Sequence, residues 1–379
     1  IIYGLLPFNG SLFLVVSTAA YGREPYISDG TDAGTFMLQD IIPGSVGSYP
    51  DKNTIVAMGN KVFFQAKDPD NEAQIYATDG TSAGTTLAVR PVQDNGSSYP
   101  DYFFESNGKV YFRASDATAG RELYVSDGTV SGTYMVKDIN PGNTSSNPSY
   151  FTTLGTKTYF AANDLLTDIE LWVTDGTADG TTMVKDIYPG TANSANPTYL
   201  VTLGNNILFA ADDGTNGNEL WISDGTNAGT VLLKDIYTGV TGTKPNASSP
   251  ASLIKVGTTV YFTATTAEAG TELWKTDGTA AGTVIVKDIV AGTYGSYPSH
   301  LTDVNGTLYF TATTGASGTE LWKTDGTDAG TVMVKDIYTG PESSSPVYLT
   351  NVGGKLFFAA NDGINGQELW SSDGTETGT

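Results

Sequence analysis

The feature that most constrains this chain is one segment that recurs along its whole length. The triplet Asp-Gly-Thr occurs eight times, and neighbouring copies are 48 to 53 residues apart. The copies begin at Asp29, Asp79, Asp127, Asp175, Asp224, Asp277, Asp325 and Asp373. A near-constant period of this size is typical of repeat architectures. We therefore expect residues 1–379 to form a single repeat domain of eight similar units.

Each unit is predicted to contain four short β-strands. In the seventh copy these strands cover residues 300–304, 307–313, 319–324 and 332–337. The first two are joined by an Asn-Gly pair, a strong hairpin signal because both residues tolerate positive φ. The other two connections are also short, so neighbouring strands should pair antiparallel.

The second strand predicts how the sheets pack. Leu308, Tyr309 and Phe310 lack the alternation of a strand with one solvated face, and the other copies are similar. Such a strand is covered on both faces. The predicted fold is therefore all-β, a β-propeller of eight four-stranded blades of about 48 residues. Seven blades plus part of another module is the alternative, and a stacked β-solenoid fits less well because its coils are usually shorter.

The charge of the chain limits its partners. Lys and Arg number 19 against 41 Asp and Glu, which gives a formal net charge of -22 at pH 7. This surface repels nucleic acid and anionic membranes, so we expect neither as a partner. No apolar run is long enough to span a membrane. The chain has no cysteine and therefore no disulfide framework.

All tryptophans of the chain share one repeat position, where the other three copies have tyrosine. They are Trp172, Trp221, Trp274, Trp322 and Trp370. A recurring aromatic position could bind sugars or pack between blades. Packing is favoured, because each side chain can bury a large apolar area and every copy needs the same core.

A charged trio, represented by Glu320, Lys335 and Asp336, recurs in most copies. Folding the hairpin about its turn should bring these three side chains together. Paired carboxylates could act in acid/base chemistry, but the lysine favours a structural ion pair. A site repeated on every blade is first of all a feature of the scaffold.

The recurring turn Asp-Gly-Thr-x-x-Gly-Thr has its own chemistry. The aspartate accepts hydrogen bonds from backbone N–H groups, the glycine supplies positive φ, and the threonine caps the turn. Copies of the turn that we take as part of the repeat signature begin at Asp127, Asp175, Asp224, Asp277 and Asp325. The turn lacks the spacing of a calcium loop. Acidic connections elsewhere supply calcium candidates at Asp164, Asp213 and Asp362, and no other cofactor is expected.

The recurring segment Glu-Leu-Trp-x-x-Asp-Gly-Thr, followed by x-x-Gly-Thr-x-x-Val-Lys-Asp-Ile, resembles the ELWxxDGT repeat family of very long secreted and surface proteins of bacteria, notably gliding marine Bacteroidota. The first two copies depart from it, at Pro25, Gln74, Val89 and Arg90. The resemblance implies export, often by type IX secretion, an extracellular or cell-surface location, and roles in adhesion or surface appendages. It supplies no catalytic residues.

Two functional hypotheses follow. The preferred one is a non-enzymatic propeller module of a large exported surface protein, acting in adhesion or as an appendage subunit, with other surface subunits, copies of itself or cell-surface glycans as partners. We further expect the chain to be part of a longer polypeptide, with the last outer strand supplied by residues after Thr379 or by another chain.

The alternative is a carbohydrate-binding lectin or a propeller hydrolase with its site at the central mouth. Its residues would be those that differ between blades. The candidates are Arg90, Arg113, Arg121, His300 and the loop 240–249.

Overall fold

The computed structural model describes residues 1–90, 98–116, 118–190 and 193–379. The described strands form successive antiparallel sheets, and the fold is an eight-bladed β-propeller. This confirms the predicted fold class. The chain divides into two compact units, Ile1–Met183 and Val184–Thr379. Within the described ranges, no helix is long and apolar enough to cross a membrane.

The first four blades contain four strands each. Their strands are β1 (Ile2–Phe8), β2 (Ser11–Thr18), β3 (Gly22–Ser28), β4 (Phe36–Met37), β5 (Val56–Met58), β6 (Lys61–Lys67), β7 (Ala73–Thr78), β8 (Thr86–Val89), β9 (Asp101–Ser106), β10 (Lys109–Asp116), β11 (Gly120–Ser126), β12 (Tyr134–Lys137), β13 (Ser149–Leu154), β14 (Lys157–Asp164), β15 (Asp168–Thr174) and β16 (Thr182–Lys185). A short 3-10 helix, Lys52–Thr54, precedes β5.

Blades five to seven also have four strands, and the eighth has three. Their strands are β17 (Thr198–Leu203), β18 (Asn206–Asp212), β19 (Asn218–Ser223), β20 (Val231–Lys234), β23 (Ala251–Val256), β24 (Thr259–Thr266), β25 (Gly270–Thr276), β26 (Val284–Lys287), β27 (Ser299–Val304), β28 (Thr307–Thr314), β29 (Gly318–Thr324), β30 (Val332–Lys335), β31 (Val347–Val352), β32 (Lys355–Asn361) and β33 (Gln367–Ser372). A separate hairpin, β21 (Val240–Thr241) with β22 (Lys244–Pro245), lies between blades five and six.

The core follows from the apolar second strand of each blade. One phenylalanine near its centre is almost completely buried in every blade: Phe13, Phe64, Phe112, Phe160, Phe209, Phe262, Phe310 and Phe358. Phe160 packs in one cluster with Trp172 of its own blade and with Leu123 and Tyr111 of the preceding blade. Burying such a side chain stabilises a fold by about 1.5–3 kcal/mol. The core therefore lies between blades, as a strand covered on both faces requires.

The recurring turn is held by its own aspartate. In the third blade, Asp127 Oδ1 accepts hydrogen bonds from the N–H of Thr129 at 2.9 Å and from its hydroxyl at 2.7 Å. Gly128 has φ +87, a conformation that side chains disfavour. The same contacts recur at Asp175, Asp224, Asp277 and Asp325.

The expected ion pair between Glu320 and Lys335 is not formed, which corrects the sequence-based interpretation. Lys335 lies opposite Leu321 in the β29–β30 register. Because successive side chains of a strand point to opposite faces, Glu320 lies on the other face from Lys335. Lys335 Nζ donates instead to the Thr379 carbonyl oxygen at 2.6 Å. Asp336 Oδ2 accepts from the N–H of Gly340 at 3.1 Å.

The lysine contact links consecutive blades. Lys137 of the third blade donates to the carbonyl oxygen of Thr181, at the end of the recurring turn of the fourth blade, at 2.8 Å. The same contact is made by Lys185 to Thr230, Lys234 to Thr283 and Lys287 to Thr331. The recurring lysine of the repeat therefore contacts the next blade and not the glutamate of its own blade.

Candidate functional site

The first strands of neighbouring blades contact one another within the unit Ile1–Met183, as β5, β9 and β13 do. In β9 the register moves from Asp101 opposite Arg113 to Phe104 opposite Tyr111, so β9 contains one extra residue. Tyr102 has φ 55 at this bulge. The same bulge recurs in β13, β17 and β23, so it is a feature of the repeat that redirects one side chain in each of these strands.

A concave pocket of about 490 Å³ lies on this part of the unit. The aromatic residues of β9 and β13 supply most of its lining, and the 3-10 helix after the first blade supplies polar groups. The lining residues are Asp51, Asn53, Asp101, Tyr102, Phe103, Phe104, Tyr150 and Phe151. Its size is within the range typical of small-ligand sites, which combine apolar walls with a few polar groups.

Aromatic contacts fix the walls of the pocket. Phe104 and Phe151 stack with ring centroids 5.9 Å apart, which joins the third blade to the fourth. Phe103 packs against the buried Phe112 at 5.5 Å. Tyr102 is 47% exposed and Tyr150 is 41% exposed. The phenylalanines therefore form the support, and the two tyrosines present rings to solvent.

Asp101 is held by two arginines. Arg113 Nε lies 2.7 Å from Asp101 Oδ1, and its second nitrogen donates to Oδ2 at 3.2 Å. Arg121 lies 2.9 Å from Asp101 Oδ2 and also donates to the Tyr99 carbonyl oxygen at 2.7 Å. Burial lowers the pKa of Arg121, and the charge of Asp101 opposes that shift. Asp101 is thus a fully paired anchor at the edge of the pocket.

Arg113 also packs on an aromatic ring. Its guanidinium carbon lies 4.0 Å from the centroid of the Tyr102 ring. Two residues proposed from the sequence, Arg113 and Arg121, are therefore brought together beside the pocket, while the lining residues themselves were missed. Only Asp101 among them had a signal in the sequence, because Asp101 and Arg113 replace the small pair Ser149 and Ala161 of the next blade.

The other blade-specific candidates lie elsewhere. Arg90 pairs with Asp68 at 2.7 Å and with Glu72 at 3.4 Å, which balances the charge changes of the second copy. His300 has φ 54 and its Nδ1 lies 3.3 Å from Ser299 Oγ. The loop 240–249 contains the short exposed hairpin β21–β22.

The calcium candidates cap turns. Asp164 Oδ1 accepts from the N–H groups of Leu166 and Thr167. Asp213 and Asp362 make equivalent contacts to the residues two and three positions further on. Across the described ranges, no three His, Cys, Asp or Glu side chains are grouped to hold a metal. Calcium binding at these positions remains a prediction.

The tryptophans do not converge on one site. Trp172, Trp221 and Trp274 are buried, and Trp322 and Trp370 are partly buried. Trp370 lines a second cavity of about 560 Å³ together with Asp362, Glu368 and Leu369. Leu369 is 76% exposed, whereas its counterpart Leu321 is 0% exposed beneath the fourth strand of its blade.

Comparisons with known proteins show the fold but no family. No family model matches the sequence, and a search of curated proteins finds no match. A computationally designed protein, Ika8, has a similar structure, with a TM-score of 0.53, 15% identity, and coverage of 97% of this chain and 95% of that protein. At such identity the likeness shows the fold alone.

The structures of some peptidases are also similar to this chain. A prolyl endopeptidase matches with a TM-score of 0.51 and 12% identity over 94% of this chain, which spans 53% of that protein. A puromycin hydrolase matches with a TM-score of 0.48 and 13% identity over 94% of this chain, which spans 58% of that protein. The match thus includes only part of each enzyme, and it shows no active site in this chain.

This comparison corrects the functional expectation drawn from the sequence. The preferred hypothesis was a module for adhesion or for a surface appendage, and it is wrong. One natural protein with a similar structure is a prolyl endopeptidase, and it is neither an adhesion protein nor an appendage protein.

Proposed function

We propose that this chain is the substrate-binding propeller module of a hydrolase, and that it holds a peptide in the aromatic pocket. The observation that carries the proposal is the pocket of about 490 Å³ on the first strands of neighbouring blades. Concave sites with apolar walls and few polar groups are the usual form of ligand sites. The similarity to part of a prolyl endopeptidase supports a peptide as the ligand.

The chemistry of the pocket suits binding. Tyr102 and Tyr150 offer ring faces for stacking, and Asn53 offers an amide that can donate to and accept from a peptide backbone. Both oxygens of Asp101 are engaged in ion pairs with two arginines, so its role in the pocket is structural. We therefore assign bond cleavage to a separate catalytic partner.

The test is direct binding of labelled eight-residue peptides to the purified chain, measured by fluorescence anisotropy. Tyr150→Ala should weaken binding by about tenfold, because an aromatic contact of this kind contributes about 1–1.5 kcal/mol. Tyr199→Ala is the matched control. Tyr199 occupies the same repeat position, with φ 56 and 40% exposure, and it does not line the pocket.

The proposal predicts that Tyr199→Ala binds peptides as the unmodified chain does. Absence of peptide binding, or equal losses in both variants, would contradict it. A parallel glycan panel distinguishes the lectin alternative, because exposed tyrosine rings also stack on sugars. Binding of glycans without peptides would favour a lectin.

A further inference from the structure

The pocket contains one carboxylate whose charge no described cation balances. Asp51 Oδ1 accepts hydrogen bonds from the N–H of Asn53 at 3.0 Å and from its side-chain amide at 3.1 Å. Within the described ranges, Asp51 forms no ion pair and its Oδ2 accepts no hydrogen bond. Oδ2 is therefore available to a donor group of a ligand.

The second carboxylate of the pocket, that of Asp101, is neutralised by ion pairs. Asp101 is paired with both Arg113 and Arg121, and neither arginine is among the lining residues. A ligand that enters the pocket thus meets one unpaired negative charge and no exposed positive charge from the lining. An anionic ligand group would face repulsion there without compensation.

The aromatic walls of the pocket also favour a cationic ligand group. Tyrosine faces attract cations at distances below about 6 Å and also pack against methylene groups. Arg113 lies 4.0 Å from the centroid of the Tyr102 ring, so one face of that ring already carries a cation, and we assign the ligand contact to Tyr150. The net charge of -22 further favours the approach of cationic ligands.

We propose that the pocket recognises a basic side chain, lysine or arginine, of the bound peptide. The alkyl stem packs against Tyr150 and the charged group donates to Asp51 Oδ2. This inference rests on the proposed function, since it requires a peptide as the ligand.

The test compares eight-residue peptides that differ at one central position. Lysine is compared with norleucine, which keeps the methylene groups and lacks the charge, and with glutamate. The lysine peptide should bind the chain about five- to tenfold more tightly than the norleucine peptide, with a smaller ratio at 0.5 M salt. The glutamate peptide should bind most weakly.

The decisive variant is Asp51→Asn. Asparagine also caps a helix start, so the local fold at Lys52–Thr54 is retained. This variant should bind the norleucine peptide as before and lose the preference for lysine. Asp179→Asn is the charge control, because it removes one negative charge from an exposed turn outside the pocket. It should keep the preference.

The outcomes separate the two proposals. If peptides bind without a preference for lysine, or if Asp179→Asn and Asp51→Asn reduce the preference equally, the basic-residue inference is overturned and the peptide-binding function stands. Tighter binding of the glutamate peptide also overturns it. If no peptide binds, the proposed function itself is wrong.

Discussion

The hydroxyl of Ser344 lies 2.5 Å from Oε2 of Glu320, and the side chain of Glu320 is completely buried. The same carboxylate accepts from the N–H of Ser344 at 2.9 Å and from the N–H of Ile337 at 3.1 Å. Equivalent serine contacts are made by Glu24, Glu122, Glu219 and Glu272. The recurring glutamate thus fastens the third strand of a blade to the connection that follows it.

Removing this carboxylate should destabilise the fold. Glu320→Ala leaves the N–H groups of Ser344 and Ile337 buried without an acceptor, which should lower the free energy of unfolding by about 2–4 kcal/mol. Glu320→Gln keeps an acceptor and should cost less; the second blade naturally has Gln74 at this position. Urea denaturation measures both. Equal midpoints for the two variants would show that the hydrogen bonds are unimportant.

Stability should fall between weakly acidic and neutral pH. Burial raises the pKa of Glu122 to about 7, and it raises the pKa of Glu24, Glu219, Glu272 and Glu320 as well. The folded state therefore binds these protons more tightly than the unfolded chain. The contribution of Glu122 is fully present below the ordinary value of 4.5 and is lost as the pH rises to about 7, and the contributions of the other four glutamates also decline as the pH rises above 4.5.

The turn aspartates contribute to stability with the opposite pH dependence. Hydrogen bonds from Thr129 lower the pKa of Asp127, so its contribution is present above the ordinary value of 3.8 and is lost as the pH falls below it. Together the two groups predict a maximum of the thermal midpoint near about pH 4 to 5. Glu122→Gln should flatten the decline above this pH, in 0.5 M salt as well. A midpoint that rises from pH 5 to 7 would contradict the assignment.

The hydrogen bond from the lysine of one blade should slow hydrogen exchange in the recurring turn of the next blade. Lys137→Met removes the donor to the Thr181 carbonyl oxygen, and we expect a loss of about 0.5–1.5 kcal/mol. Hydrogen exchange should accelerate across the turn at residues 175–181. Lys255→Met is the control, because Lys255 is exposed on β23. Unchanged exchange in Lys137→Met would show that the contact is not maintained in solution.

The second glycine of the turn is needed for space. A Cβ on Gly132 would lie about 2.0 Å from Asp127 Oδ1, although the φ of Gly132 is not positive. Gly132→Ala should therefore displace the carboxylate, break its bonds to Thr129 and cost about 2 kcal/mol. Ala178→Gly is the comparison variant. Ala178 lies at a variable position of the same turn in the following blade, and this substitution adds no atom next to the aspartate. Thermal denaturation of the two variants tests the difference.

The sequence predicted the blades well because their determinants are local. The predicted strand 300–304 corresponds to Ser299–Val304, and 319–324 corresponds to Gly318–Thr324. Each copy contains its own turn residues and apolar runs, so the same four strands can be predicted from every copy separately. The pocket could not be found in this way, because Asp51, Tyr102 and Tyr150 belong to three different copies and come together only when the blades pack.

The sequence by itself determined the all-β architecture, the eight-fold period and the turn chemistry of Asp127 and its counterparts. Only the tertiary structure decided the partners of the polar side chains. Glu320 and Lys335 lie on opposite faces of a twisted hairpin, so each is paired by a neighbouring segment that the hairpin alone does not contain. Period and propensity are properties of one copy, whereas a hydrogen-bond partner or a pocket wall depends on how successive copies pack.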